Sequence, residues 1–378
     1  MVRGRLVFVG VSALVLTTVV VFASGAAGTA GDGMYRLVGI FGQVLALVRS
    51  SYVEEVAVDR LETGAVAGLV ERADPGGMWV PNESQATVQA VLRREVPPFG
   101  LVLGKRSSYP FVLEVLPGSP AAEAGIQPGE LIERVGDEPV RARPLWVSQV
   151  LLDQAEREGS GVDLDVIDRG LQGKRPVHLQ ARAVASPPPE LRLENGVPVL
   201  RVWRLDDATL SLLTGQLATL GSVVGVVVDL RGVALGSPEA AVKVAAAMAG
   251  GEVELTAAGR KGKAEVMRAR GIARSWKVVV CVDATTAGAG EVAALALRSR
   301  GAVLVGLETF GDTGRRQSTR SSGGHLWLAE SWFTAPDGTA ILGSGIQPDE
   351  VVRLRRDRDT ILQRALELAG ADAAEEAA

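Results

Sequence analysis

The sequence predicts a multidomain chain of mixed α+β and α/β class, with a helical lead, a β-rich middle and an α/β core built on a largely buried sheet. Three observations predict it. Apolar residues recur at helical spacing behind an apolar leader; short strand-like runs broken by Pro/Gly turns begin at Phe99; and from Val197 on, β-branched runs alternate with Ala-rich helical segments. A chain of 378 residues has room for roughly two or three domains. Its 40 Lys plus Arg stand against 44 Asp plus Glu, a net charge of -4, so no basic field points to nucleic acid as a partner.

Residues 1–30 come first. Arg3 and Arg5 precede an uncharged run from Leu6 to Ala30 that is apolar almost throughout as far as Ala23, which predicts an export signal. The run just reaches spanning length and the small residues of "ASGAAGTA" suit a cleavage site, so a cleaved signal peptide and an anchor at residues 6–23 both stand open. Two arginines on the short leading side place the remainder outside the cytoplasm, in the periplasm or cell envelope. Cys281 is the only cysteine, so no internal disulfide forms and stability rests on packing.

Residues 31–96 read as a helical region. Leu37, Ile40, Phe41, Val44, Leu45 and Val48 form one stripe, and Asp59 with Glu62 makes a capping-box start for a second helix that stops near "ADPGG". Such a hairpin is a packing element or a homodimer contact. Residues 97–184 carry the strand-like runs "FGLVLG", "PFVLEVL", "ELIERVGDEPV" and "VDLDVIDRG", with a helix over "PLWVSQVLLDQAERE". Between them Ser119 can cap, Pro120 fits a first helical position and Gly125 suits a left-handed stop. "ASPPPE" at 185–190 is a stiff connector. Residues 185–355 supply the buried runs "VPVLRVW", "VVGVVVDLRG", "WKVVVCVD" and "GAVLVG", and 356–378 form a C-terminal helix and tail.

The string "FGLVLG…VLPGSPAAEAGIQPGELIERVGDEPV" resembles a PDZ domain of the bacterial, circularly arranged type. That resemblance implies that Gly100, Leu101, Val102 and Leu103 form a loop whose N–H groups take a peptide's terminal carboxylate, although Val102 stands where glycine is common; packing within the chain is the other use of such a groove. Taken with "LVRSSYVEE", "VVVDLRG", "GEVAALALRSRGAVLVGLETFGDTG" and "TAPDGTAILGSGIQPDEVV", nearly the whole exported chain resembles the C-terminal processing, or tail-specific, family of serine peptidases.

The resemblance implies a serine nucleophile at a helix start, a lysine base made neutral by burial, a nearby glutamine and a glycine-rich oxyanion loop. Aligned on Glu291, the family's S-A-S-A-S-E becomes Thr286 to Glu291, with Gly288 at the attacking position. The lysine after T-F-G is Asp312, the glutamine falls on Arg316 beside Gln317, and "DLRGVALGS" keeps Gly232 and Gly236 but no Pro-Gly-Gly. No catalytic residues are therefore expected. Thr286 or Thr285 with Asp312 as base is the fallback, set against a bland role as helix caps, since a carboxylate matches a threonine hydroxyl poorly. His178 and His325 read as surface residues, the latter in a turn, and no metal or cofactor is expected.

The expected function is an exported pseudopeptidase that binds protein C-termini, or a protease or envelope partner, through its PDZ domain. An active serine-type peptidase with a displaced nucleophile and a purely structural envelope subunit are the alternatives.

Overall fold

The computed structural model describes residues 29–54, 57–335, 337–355 and 357–375. Residues 1–28, and with them the expected export signal, lie outside these, as do the side chains of Asp59 and Glu62. Among the described residues no helix is long and apolar enough to cross a membrane. The chain divides into two units, residues 1–66 and 67–378. In the first, helix α1 (Thr29–Ser51) carries the expected stripe, and Leu37, Ile40, Phe41 and Val44 are exposed on it. Helix α2 (Val58–Ala73) ends at "ADPGG", where turn residues break the pattern.

The structure corrects the helical reading of 31–96. Met78–Pro81 is a strand, β1, followed by helix α3 (Gln85–Leu92). β1 pairs antiparallel with Gly324–Trp327, so its ladder partners lie far along the chain and a four-residue run shows no period of its own.

The β-rich middle follows the sequence closely. Strands β2 (Leu101–Arg106), β3 (Tyr109–Val115), β4 (Leu131–Val135), β5 (Glu138–Pro139), β6 (Val162–Ile167) and β7 (Lys174–Leu179) form a sheet of order β2-β3-β4-β6-β7, with β5 on β4. Short helix α4 (Pro120–Glu123) starts as its residues dictate: Ser119 Oγ accepts from the Ala122 amide at 3.2 Å and Pro120 holds the first position. Helix α5 (Leu145–Glu158) lies along edge strand β2, and its Leu152 shares a core with Leu101, Leu103, Val112 and Ile132.

In the remainder, β8 (Glu190–Glu194), β9 (Val197–Arg201), β10 (Arg204–Leu205), α6 (Asp207–Ala218), β11 (Gly225–Asp229), β12 (Leu235–Gly236) and α7 (Pro238–Ala249) are followed by β13 (Glu252–Gly259) and β14 (Ala264–Arg270). Then come β15 (Lys277–Val282), α8 (Ala289–Ser299), β16 (Val303–Gly306), β17 (Gly314–Arg320), β18 (Gly324–Phe333), β19 (Glu350–Val351) and α9 (Thr360–Glu375). The order β19-β16-β15-β11-β9-β8 is parallel except for edge strand β8. Alternate residues of its strands face opposite layers. Val228, Val280 and Leu304 pack on α7 and α8, while Val227, Val279 and Cys281 pack on α9. Burial on both faces is why these strands read as unbroken apolar runs, each valine contributing about 1.5–3 kcal/mol over exposure.

A second, antiparallel sheet of order β1-β18-β13-β14, with β17 on β18, has no counterpart in the sequence reading. β17 is "GRRQSTR", polar throughout, and shows no apolar period to read. His325 lies within β18 rather than in a turn, because pairing with Val80 and Arg320 extends the strand past "SSGG".

Candidate functional site

The turn between β15 and α8 determines what can react. Asp283 Oδ1 accepts from the Thr285 amide at 2.8 Å and from Thr285 Oγ1 at 2.5 Å. Thr286 Oγ1 donates to the Leu230 carbonyl at 3.0 Å and accepts from the Asp283 amide at 3.1 Å. Both hydroxyls are buried and committed to holding the turn. Neither hydrogen-bonds to Asp312, and neither caps α8, whose N-cap is Gly288 without a side-chain bond, so the capping reading is corrected to a turn-holding one.

Gly288 has φ +51° and ψ -117°, a backbone that glycine takes without the strain of a β-carbon. A Cβ built there would lie 3.1 Å from the Ala234 carbonyl oxygen and 4.0 Å from that of Asp312. The helix start, the loop after β11 and the Asp312 loop therefore converge. Hydrogen bonds fix the convergence: the Ala287 amide donates to Val233 at 3.0 Å and the Phe310 amide to Thr286 at 3.0 Å. Gly232 lies on the same side, since its Cβ would be 3.9 Å from Thr285 Oγ1 and 3.5 Å from the carbonyl oxygen of Leu113 in β3. The start of this loop is pinned by Asp229, which accepts from Arg231 Nε at 2.8 Å and Nη2 at 2.7 Å.

Asp312, which the sequence resemblance aligns with the family's base, is paired. Its Oδ1 lies 2.6 Å from Arg316 Nη1, and Arg316 also donates to both oxygens of Asp74, at 3.0 and 2.7 Å. Asp74 further accepts from the amides of Ala329 (2.9 Å) and Gly76 (3.1 Å). Burial alone would raise the Asp74 carboxyl, but Arg316 and these amides hold it below the usual carboxylate range. One guanidinium thus joins the end of α2, strand β17 and the base loop. Asp312 meets Arg316, while the neighbouring Arg315 pairs with Glu239 and Glu265.

Glu291, fully buried in the first turn of α8, ties that loop down. Thr309 Oγ1 and the Gly311 amide donate to its Oε1, the latter at 2.7 Å, and the Asp312 amide donates to Oε2 at 2.6 Å. Burial pushes its pKa up to about 7 despite these donors. Sequence reading used Glu291 only as an alignment anchor and missed Asp74, whose one signal was its place in "ADPGG".

The β-rich domain lies directly on this cleft. Val102, Phe111 and Leu113 share a buried cluster with Ala287, packed by Ala234, Leu235 and Phe310. Phe111 stacks on Phe310 at 5.9 Å, and the Arg106 guanidinium lies 4.9 Å from the Phe111 ring and 5.6 Å from that of Phe310. Glu114 of β3 is also buried there, with no hydrogen-bond partner for either oxygen among the described residues; burial raises it well above the usual range, against the pull of Arg201. None of these contacts follows from local sequence.

Gly100, Leu101, Val102 and Leu103 are all buried. The Gly100 amide donates to Pro97 at 3.0 Å and the Leu101 amide to Pro98, while the Phe99 amide is taken by Glu156 Oε1 of α5 at 2.7 Å. Phe99 and Gly100 both have positive φ, which aims this turn. His178 pairs with Asp163 at 2.8 Å on the surface, and His325 lies 3.2 Å from Ser318 Oγ. Among the described residues no group of three or more His, Cys, Asp or Glu could hold a metal.

Residues 197–352 match peptidase family S41, and residues 111–157 match the PDZ domain family. Over that core the chain is similar to peptidase family S41. It is 23% identical over 361 residues to a carboxy-terminal-processing protease of Bartonella bacilliformis, covering 92% of this chain and 82% of that one. It is 26% identical over 312 residues to a probable CtpA-like serine protease of Staphylococcus haemolyticus, covering 80% of this chain and 62% of that one. The chain thus spans less than two thirds of that staphylococcal relative. The solved structure of a photosystem II D1 C-terminal processing protease shares the fold, with a TM-score of 0.66, 23% identity and coverage of 86% of this chain and 91% of that one. The chain is therefore similar to C-terminal processing proteases and carries a PDZ domain ahead of its peptidase-like core.

Proposed function

We propose that this chain is a pseudopeptidase of the C-terminal processing peptidase family that binds a protein C-terminus, or a protease or envelope partner, and does not cleave it. The observation that carries the reading is the pair of substitutions at the converged site. Gly288 offers no nucleophile where helix α8 begins, and Asp312, engaged with Arg316, offers no amine base. Thr285 and Thr286 are poor substitutes, since both hydroxyls already serve the turn. The PDZ domain supports the binding half of the proposal, as such domains take a terminal carboxylate on backbone N–H groups and pair a strand edge with the peptide. The leader supports action outside the cytoplasm, and the exposed apolar stripe of α1 supports a homodimer contact.

The test is incubation of the protein with an unfolded polypeptide ending in an apolar tail, beside the Thr285→Ala, Thr286→Ala variant. Saturable binding without turnover is the expected result. Turnover that vanishes in the variant would establish an active peptidase with a displaced nucleophile, and absence of both binding and turnover would leave a structural subunit. Recovery of the full-length chain as a soluble cytosolic protein would overturn the export reading.

A further inference from the structure

A cavity of about 300 Å³ lies between the PDZ domain and the peptidase-like core, beside the Asp312 loop. It is at the small end of the ~300–1,000 Å³ typical of ligand sites. Its walls are apolar, formed mainly by Trp79, Leu103, Leu113 and Phe310, and exposed Pro75 and Leu92 contribute to its lining. The charged groups that line it are already paired: Lys105 Nζ with Glu71 at 2.5 Å, and Arg316 with Asp312. No lining charge is left over to select an ion.

Among the described residues three lining polar atoms lack a hydrogen-bond partner; one, Asp312 Oδ1, is met by the Arg316 charge at 2.6 Å, and the other two are neutral. Trp327 Nε1, a donor on β18, and Gln149 Oε1, an acceptor on α5, are buried without a hydrogen-bond partner. A buried donor or acceptor left unpaired is costly, so a wall carrying one of each selects a guest that satisfies both. We propose that this cavity binds a neutral amide flanked by an apolar group, supplied either by a peptide bond of a polypeptide or by a carboxamide side chain. The amide carbonyl accepts from Trp327 Nε1, its N–H donates to Gln149 Oε1, and the apolar flank lies against the walls. One polar atom comes from the PDZ domain and the other from the core, so the guest bridges them next to the Asp312–Arg316 pair. The site does not depend on the carboxylate loop at Gly100, and its test uses ligands without a carboxylate.

The test is titration of the full chain, ¹⁵N-labelled, with N-acetylphenylalanine N-methylamide, benzamide or ethylbenzene, following the indole N–H signals, with Trp327→Phe used to assign that of Trp327. The amides should shift the Trp327 signal saturably and bind about ten-fold more tightly than ethylbenzene, a difference of about 1.4 kcal/mol. Gln149→Met should remove most of that advantage and leave ethylbenzene binding unchanged. Preference for the phenylalanine derivative assigns the guest as polypeptide backbone, and preference for benzamide as a carboxamide side chain. Equal binding of all three ligands to the unmodified protein, or no saturable change at Trp327, overturns the proposal even if the variant fails to fold.

Discussion

Replacing Arg316 by glutamine, the residue the sequence resemblance expects there, tests whether the Asp312 loop is held by charge. In the native protein the Arg316 side chain is 15% exposed and pairs with Asp74, 5% exposed, and Asp312, 30% exposed. The variant leaves Asp74 with only the Ala329 and Gly76 amides. Removing one partner of a buried pair costs about 3–5 kcal/mol, because the charge left behind has lost both water and its counter-ion. At about 2 °C per kcal/mol for a large domain, Tm should fall by about 6–10 °C in thermal unfolding followed by circular dichroism at pH 7. Adding Asp74→Asn should recover part of the loss, since no buried carboxylate then stands alone. The pH dependence has a definite sign. Asp74 is depressed in the folded state, so its contribution is present above the unfolded carboxylate pKa of about 3.9 and is lost as pH falls through the lower folded value. The gap between native protein and variant should therefore narrow in acid. A fall in Tm below about 2 °C at pH 7, or a gap that does not change on acidification, would refute the reasoning.

Glu291 has the opposite sign: its pKa is raised to about 7, so its contribution is full below about 4.5 and is lost as pH rises through 7. Glu291→Gln cannot accept from all three donors and should cost about 1–3 kcal/mol, with a Tm deficit larger at pH 5 than at pH 8. Gly288→Ser should lower stability by about 1–3 kcal/mol through its positive φ and give no proteolysis of an unfolded substrate, because it restores no base. Activity in that single variant would show that another group serves as base. A peptide with a free C-terminus should bind more tightly than its amidated twin in a fluorescence titration, and equal affinities would remove the carboxylate loop from the mechanism.

Much of the fold was legible because its cause is local. Ser119 and Pro120 start α4 by satisfying its own first turn, and the valines of β11 and β15 betray a sheet buried on both faces by being apolar without interruption. That Gly288 and Asp312 stand where the resemblance expects a serine and a lysine is likewise an expectation from order and spacing alone. β1 and β17 were not legible. Four residues, or a wholly polar seven, become strands only when β18 supplies their hydrogen-bond partners.

Residue type and spacing along the chain carried the resemblance to C-terminal processing peptidases and the expectation that Gly288 and Asp312 stand where that resemblance places a serine and a lysine. Only the tertiary structure decided what the remaining groups do. Arg316 meets Asp74 across more than two hundred residues, Glu291 holds a loop from the next strand, and Phe111 of the PDZ domain closes on Phe310 of the core. The roles of Thr285 and Thr286 were settled in the same way, by whether Asp283, Leu230 or Asp312 lay within reach of each hydroxyl. Hydrogen bonds and ion pairs act over about 3–4 Å, and which side chains come that close is set by packing of elements distant in sequence, which no local pattern encodes.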